Sequence, residues 1–196
     1  MSNDCIDVPP GKLAAVVTSL EMFSQPLLRS EHPGQGWRLQ HVRQPDLGWF
    51  RALFRRVGLN WLWFSRLQMS DEALASIIHH PAVSVYALQI ENCDEGLLEL
   101  DFREPDVCEL SFFGVTQEFI GTPAGRWLMN RAIEIAWSRP IRRFWVHTNT
   151  CDHPSALPFY MRSGFTAFRR YVEIVSDPRL DGSLPRDDAP HIPIIC

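Results

Sequence analysis

The spacing of apolar side chains first follows a helical period. Over Asp46–Val57, apolar residues recur every three or four positions, which predicts an amphipathic helix. A second, shorter helix is predicted over Ser70–His80, because Ser70 is a favoured N-cap and acidic residues follow it in the first turn. Before these helices, the pattern predicts a strand over about Leu13–Phe23 and a loop rich in proline and glycine over Gln25–Trp37.

The pattern then changes to the alternation that is typical of strands. Short polar turns separate three such runs, which predicts an antiparallel meander of Val83–Ile90, Gly96–Phe102 and Cys108–Val115. The following pattern predicts a long helix, a strand, a short helix and a final strand, at Gly121–Ser138, Arg143–Thr148, Ser155–Ser163 and Phe165–Val175. Helices interspersed with a mixed sheet predict an α/β (α+β) fold built in layers.

Composition narrows the class of protein. The 196 residues are 45% hydrophobic and 21% charged, as in an ordinary globular domain. The net charge of −4 argues against a nucleic-acid partner, and the apolar runs are far shorter than the roughly 20 residues that span a bilayer. Five scattered cysteines without a CxxC pair favour free thiols over disulfides or a zinc site, and the N-terminal segment lacks the pattern of an export signal. We therefore expect a cytoplasmic protein with no metal and no membrane partner.

Candidate chemistry first becomes visible at the junction Val115–Arg126, where a strand leads through a glycine-containing turn into the long helix. The start of a helix offers unpaired backbone N–H groups and the positive end of its dipole, so it is suited to binding a pyrophosphate. Gly121 and Gly125 let the backbone approach an anion closely, and Arg126 adds a positive charge. On its own, this junction is equally consistent with a helix start that binds no ligand.

A second segment favours ligand binding at this junction over a helix start that binds no ligand. His153–Phe165 is a predicted short helix that ends in Ser-Gly-Phe before a strand. Together the two segments resemble the acetyl-CoA-binding core of the GNAT (GCN5-related N-acetyltransferase) family. The matching residues are Val115, Glu118, Phe119, Gly121, Gly125, Arg126, Ala156, Phe159, Tyr160, Gly164 and Phe165. The resemblance covers about Gly96–Val175. It implies a mixed, mostly antiparallel sheet flanked by helices, in one domain over 1–196 with an extended C-terminal tail over 177–196.

Three positions depart from the family pattern. Ile120 stands where arginine or glutamine is usual, Pro123 replaces a glycine, and His153 replaces an asparagine. Proline has no N–H, so one phosphate contact is lost, although Thr122-Pro123 is a favourable start for a helix. We expect the coenzyme phosphates to meet the remaining amide groups, which are those of Gly121, Thr122, Ala124, Gly125 and Arg126.

The resemblance implies direct transfer of an acetyl group from acetyl-CoA to an amine. Tyr160 stands at the position of the family's general acid. The backbone N–H groups expected to bind the pantetheine and polarise the thioester are those of Phe113, Gly114 and Val115. Glu109 is the favoured general base, and the alternatives are Glu99, Asp101, His147 and His153. The acceptor site is expected to be lined by Trp63, Arg66, Glu99 and His147.

Other interpretations stay open from the sequence. The alternative function is a GNAT-fold protein that binds acyl-CoA without catalysis or acts as an interaction module, which Ile120 and Pro123 favour. Cys151, beside Asp152 and His153, is a weak candidate for a thiol nucleophile, because sequence neighbours rarely form a catalytic pair. The sequence does not identify the amine. It also leaves a homodimer open, since the apolar end of the tail suits a neighbouring subunit as well as its own.

Overall fold

One sheet and four α-helices account for most of the described chain, which comprises residues 5–32, 34 and 36–196 of the computed structural model. The strands are β1 Lys12–Met22, β2 Arg38–Val42, β3 Val83–Ile90, β4 Cys93–Asp101, β5 Val107–Val115, β6 Arg143–Asn149 and β7 Thr166–Ser176. The α-helices are α1 Leu47–Gly58, α2 Asp71–Ile78, α3 Ala124–Trp137 and α4 Ala156–Arg162. Short 3-10 turns lie at Leu59–Trp61 and Gln117–Phe119. None of the helices in these ranges is long and apolar enough to cross a membrane.

The predicted elements are present, with small shifts at their ends. α3 begins at Ala124 rather than Gly121, because Gly121 has a φ of +80° and turns the chain before the helix starts. The alternation pattern misses β2, an edge strand whose side chains are mostly exposed and which has no regular apolar face. The first four residues, which are part of the segment that lacks the pattern of an export signal, lie outside the described ranges. Pro33 and Gln35 of the predicted loop also lie outside these ranges.

The strands are ordered β2-β3-β4-β5-β6-β1-β7 in the sheet, and each neighbouring pair is antiparallel except β5 and β6. The expectation of a mixed, mostly antiparallel sheet is therefore confirmed. The N-terminal strand lies inside the C-terminal half of the sheet, because β1 pairs with β6 on one side and with β7 on the other. Val17, for example, lies between Asn149 and Tyr171.

Both faces of the sheet bury apolar side chains under helices. On β4, alternation directs Leu98 and Leu100 into the core beneath α3, whereas Leu97 belongs to the core beneath α1. The fully buried residues of the α3 side include Leu20, Leu110, Leu128 and Phe144, and those of the α1 side include Phe50, Phe54, Leu74 and Ile78. Removing one such side chain from water contributes about 1.5–3 kcal/mol. The two cores hold the strands rigidly on both sides of the site described below.

The tail after β7 folds back on the start of the chain. Leu184 and Ala189 pack with Leu13 in a small separate core, and the carbonyl of Ile195 accepts a hydrogen bond from Gly11 N–H at 2.7 Å. Of the two surfaces that suit the apolar end of the tail, its own subunit and a neighbouring one, it docks here on its own chain.

Arg179 holds this tail together. Its guanidinium donates two hydrogen bonds to Asp177, with Nε–Oδ1 at 3.0 Å and Nη2–Oδ2 at 2.7 Å, and both side chains are almost fully buried. Its Nη1 donates to the carbonyl oxygens of Asp188, Ala189 and Ile192. The hydrogen bonds from Arg179 hold the pKa of Asp177 below its ordinary value.

We expect Arg179→Met to lower the free energy of unfolding by roughly 3–5 kcal/mol, because it leaves the Asp177 carboxylate buried without its partner. Denaturant titration followed by circular dichroism at pH 7 measures this change. Since the pKa of Asp177 is lowered in the folded state, its stabilising contribution is present at neutral pH and is lost as the pH falls through the lowered value. The difference between wild type and variant should therefore shrink in acid.

Arg142→Met is the matched control for this experiment. It removes an exposed guanidinium that lies 3.7 Å from Asp106, and it should cost under about 1 kcal/mol. Equal losses in Arg142→Met and Arg179→Met would contradict the role assigned to Arg179.

Candidate functional site

The two parallel strands at the centre of the sheet separate soon after they meet. β5 and β6 pair only over Val107–Glu109 and Arg143–Trp145. Beyond this point β5 continues to Val115 and β6 to Asn149 without pairing each other. A bulge marks the same place on the other edge of β5, where Ser111 has no opposite residue in β4. The result is a V-shaped opening within the sheet.

The opening leads into a cavity of about 1060 Å³. Its walls come mainly from β5, β6, the start of α3, α4 and the segment that follows α1, with smaller parts from β1, the loop after β1 and β7. The wall contains most of the residues that the sequence predicts for the site: Trp63, Arg66, Glu109, Phe113, Gly114, Val115, Gly121, Thr122, Gly125, Arg126, His147 and Tyr160. Folding therefore brings the predicted coenzyme, proton-transfer and acceptor residues to one cavity.

The free edge of β5 supplies backbone donors to this cavity. Thr116 N–H donates a hydrogen bond to the carbonyl of Glu95, near the start of β4, at 2.9 Å. Because successive residues of a strand direct their N–H groups to opposite edges, those of Phe113 and Val115 point away from β4 and into the opening. Gly114 N–H points to β4 instead, so the expectation for that amide is corrected. The role of Gly114 is steric, since a Cβ there would lie 2.5 Å from Val57 Cγ1.

Some amide groups of the turn before α3 already donate hydrogen bonds within the turn. Thr122 N–H donates to the carbonyl of Phe119 at 3.3 Å, and Ala124 N–H donates to Thr122 Oγ1 at 3.2 Å. Ala124 is also fully buried and does not line the cavity, so the expectation that Thr122 and Ala124 offer free amides is corrected. Gly125 and Arg126 lie in the first turn of α3, where a helix provides no acceptor for their N–H groups. These two amides are the donors that the helix start offers to the cavity.

Three guanidinium groups meet at this end of the cavity. Arg29 comes from the loop after β1, Arg126 from α3, and Arg162 from the last turn of α4. Burial is the main cause that lowers the pKa of Arg29, and the positive charges of Arg126 and Arg162 lower it further. A cluster of like charges at a cavity wall is suited to an anionic ligand, because the anion removes their mutual repulsion.

Of these three arginines, only Arg126 is predicted from the sequence. Arg29 reaches the cavity because its loop is fixed across α3: Asn130 Nδ2 donates to the carbonyl of Arg29 at 2.8 Å. Arg126 Nη1 donates to the carbonyl of Ser30 at 3.1 Å, which is a second hydrogen bond between α3 and this loop. No local pattern around Arg29 predicts this placement, whereas Arg162 lies two residues before the Gly-Phe motif and is detectable from that position.

Tyr160 lies in α4 with its ring buried among aromatic side chains. Its ring centre is 6.2 Å from that of Phe113, 5.8 Å from that of Phe159 and 6.0 Å from that of Phe165. Burial raises the pKa of Tyr160, and the negative charge of Asp152 raises it further, so the hydroxyl stays protonated at neutral pH. A protonated hydroxyl at the cavity wall is a potential proton donor.

The start of α4 differs in detail from the prediction. The helix begins at Ala156, and Ser155 at the N-cap position makes no capping hydrogen bond with its side chain. His153 Nδ1 instead accepts a hydrogen bond from Ser155 N–H at 3.0 Å. The His153 ring also packs edge-on against Trp61, with 4.9 Å between ring centres. His153 is therefore occupied in shaping the turn before Tyr160.

Glu109 lies at the inner end of the opening, in the last residue pair that joins β5 to β6. Burial raises its pKa to about 7, and the negative charges of Asp101 and Glu99 contribute to the increase. His147 Nδ1 lies 3.8 Å from Glu109 Oε1. A second pocket, of about 360 Å³, shares Glu109, Asp101 and Arg103 with the main cavity. Glu109 is thus a carboxyl group with access to both cavities and a proton affinity suited to neutral pH.

Glu99 does not reach the cavity. Its side chain is fully buried and forms a short ion pair with Arg66, which lines the cavity and lies over the Phe112 ring at 5.0 Å. The expectation that Glu99 contacts an acceptor is therefore corrected, because the carboxylate instead positions Arg66. The remaining oxygen of Glu99 and the Nε of Arg66 are buried without a hydrogen-bond partner among the described residues.

Asp152 joins the two sides of the opening. It accepts hydrogen bonds from Trp63 Nε1 at 3.2 Å and from Thr148 Oγ1 at 2.7 Å. The indole of Trp63 is thereby fixed against β5 and β6 at once.

Cys151 is not suited to act as a nucleophile. Burial and the negative charge of Asp152 raise the pKa of its thiol, which disfavours the thiolate that a nucleophile requires. All five cysteines are free thiols.

Comparison with solved structures places the fold among known proteins. The chain is similar to a functionally unknown conserved protein from Staphylococcus epidermidis ATCC 12228, at 14% identity over 85% of this chain and 64% of that one, with a TM-score of 0.56. It is similar to a putative acetyltransferase from the GNAT family of Novosphingobium aromaticivorans DSM 12444, at 18% identity over 89% and 71%, with a TM-score of 0.57. It is also similar to a GCN5-related N-acetyltransferase from Sphaerobacter thermophilus, at 12% identity over 86% and 52%, with a TM-score of 0.63.

These structural relatives share the fold at low identity, and the chain spans 64% of the first and 52% of the third. No curated protein sequence matches the chain. The family itself is established by a sequence match: the model described as "Acetyltransferase (GNAT) family" matches residues 57–165, more than half of the chain. The protein belongs to the GNAT acetyltransferase family.

Proposed function

We propose that this protein is an N-acetyltransferase that moves the acetyl group of acetyl-CoA directly to an amine of a small molecule or a protein. The observation that carries the proposal is the cavity where β5 and β6 separate, with Tyr160 in its wall and Glu109 at its inner end. Direct transfer requires that both reactants meet in one site, together with one group that takes a proton and another that gives one.

The anionic part of the coenzyme fits the end of the cavity at α3. Arg29, Arg126 and Arg162 supply positive charge there, and the amide groups of Gly125 and Arg126 add donors at a helix start. The two arginines from outside α3 compensate for Ile120 and Pro123, which depart from the family's phosphate-binding pattern. The N–H groups of Phe113 and Val115 are suited to the amide and thioester oxygens of the pantetheine arm.

Glu109 and Tyr160 are suited to the two proton transfers. Glu109 takes the proton that the attacking amine loses, because a pKa of about 7 matches the working pH of a general base. A C–N bond forms, the C–S bond of the thioester breaks, and Tyr160 gives a proton to the leaving sulfur. Exchange with water then restores both groups, so charge and protons balance over one turnover.

Loss of the arginine charges should weaken coenzyme binding. We expect Arg29→Gln and Arg162→Gln each to raise the dissociation constant for coenzyme A about tenfold, as measured by isothermal titration calorimetry at fixed salt. Arg55→Gln, at an exposed position of α1, is the matched control and should leave the constant unchanged. Unchanged affinity in Arg29→Gln and Arg162→Gln would contradict the placement of the phosphates at this cluster.

Glu109→Gln should remove the pH dependence of the reaction near neutrality. The wild-type kcat/KM is expected to rise as the pH passes through about 7, because the carboxylate form of Glu109 acts as base and burial has raised its pKa to about 7. The variant should lose that rise and be slower by about 10²–10³-fold above pH 8. Release of coenzyme thiol across a panel of amines measures the rates. Glu104→Gln, which replaces an exposed carboxylate beside the second pocket, is the control and should keep the wild-type profile. If Glu109→Gln also kept the wild-type profile, Glu109 would be excluded as the base.

Tyr160→Phe separates catalysis from binding. The variant keeps the aromatic packing but loses the hydroxyl, so kcat should fall about 10²–10³-fold while the dissociation constant for coenzyme A stays the same. A protein that only binds acyl-CoA would show coenzyme binding with no thiol release in wild type or variant. Equal rates in the two proteins would remove Tyr160 from the mechanism.

A further inference from the structure

β7 forms one long edge of the sheet. It is the last strand in the sheet order, and within the part of the chain that the structure describes it pairs only with β1. Its 11 residues, TAFRRYVEIVS, contain no proline or glycine, and nearly all of its side chains are exposed. Such an edge is a template for pairing with another chain unless something blocks it. Val172 and Ile174 are exposed apolar side chains on this strand, at 59% and 43%.

The outer edge offers a regular set of hydrogen-bonding groups. Asp177 N–H donates to the carbonyl of Gly11 at 3.0 Å, so that residue directs its backbone polar groups to the inner side. Alternation then directs the N–H and C=O groups of Arg170, Val172, Ile174 and Ser176 to the outer side. The register shift against β1 lies at Ser19/Leu20, so β7 pairs regularly from Arg169 onwards.

The charges on β7 complement a second copy of the same strand. In an antiparallel pair with a two-fold axis at Tyr171, Arg169 lies opposite Glu173 of the second copy, and the reverse pair occurs as well. Arg169 already lies on the same face as Tyr171, with its guanidinium 4.8 Å from the ring centre. Shifting the axis to Val172 places Tyr171 opposite Glu173 and Arg170 opposite Ile174, which loses both ion pairs. The charge pattern therefore favours one register.

We propose that two copies of the protein pair through β7 in this register and form one continuous sheet. The partner is a second copy of this chain because the strand is self-complementary in charge and in hydrogen bonding. The alkyl stem of Arg170 then covers the partner's Val172. Glu173 and Val175 line the main cavity, so pairing places Arg169 of the partner subunit at the cavity wall. The interface is thereby continuous with the site of each copy.

The test is a charge exchange followed by sedimentation equilibrium or light scattering over a range of concentrations. Wild type should be dimeric, and Arg169→Glu and Glu173→Arg should each raise the dimer dissociation constant about tenfold or more, because like charges then face each other twice. An equimolar mixture of the two variants should form a heterodimer, since every carboxylate at the interface again meets a guanidinium. The double variant Arg169→Glu/Glu173→Arg should dimerise like wild type. Arg142→Glu, at an exposed arginine away from β7, is the control and should not change the mass.

A backbone variant gives an independent readout. Val172→Pro removes an outward N–H without removing a hydrogen bond to β1, so it should yield a monomer with an unchanged circular dichroism spectrum. The proposal is overturned by a monomeric wild type across the concentration range, by a dimer that both charge variants leave intact, or by variants that fail to complement each other when mixed.

Discussion

The separation of β5 from β6 is the constraint on which the site depends. Backbone N–H and C=O groups inside a protein are almost always paired, and β5 meets this requirement with β4 while its other edge is released. The released edge is held open from the side, because Gly114 lets Val57 and Trp63 press directly against the strand. Asp152 then fixes Trp63 to the far side of the opening. The cavity is thus a gap within the sheet, with rigid walls on both sides.

Charge is divided along this cavity. Arg29, Arg126 and Arg162 lie at the end near α3, whereas Glu109 and Asp101, the latter paired with Arg103, lie at the end where β5 and β6 meet. This division orients a ligand that carries phosphate at one end and a reactive thioester at the other. It also explains why the total charge of −4 says little about the site, because a sum over the chain does not record where each charge lies. Burial is the main cause that raises the pKa of Glu109, and the negative charges of Asp101 and Glu99 raise it further.

Local patterns in the sequence predict most of the elements well, and they predict contacts between distant elements poorly. Phe159, Tyr160 and the Gly-Phe pair mark α4 because the family pattern places them at a fixed spacing. Arg29 is missed because only tertiary hydrogen bonds from α3 bring its loop to the cavity. Glu99 is misjudged because strand alternation gives its face but not the depth of burial beneath Arg66. Patterns of period two or 3.6 describe faces of elements, whereas these errors concern distances between elements.

The position of β1 has a consequence for the order in which the molecule is assembled. Both neighbours of this strand, β6 and β7, follow β2, β3, β4 and β5 in the chain and are therefore synthesised after them. Leu13, Val17 and Leu20, which are buried in the finished sheet, have no partner strand until β6 and β7 have been made. The contacts that bury them join distant parts of the chain, and such contacts form late because a long loop must close first. β1 is made before the other strands of the sheet, yet it takes its place between β6 and β7 after them.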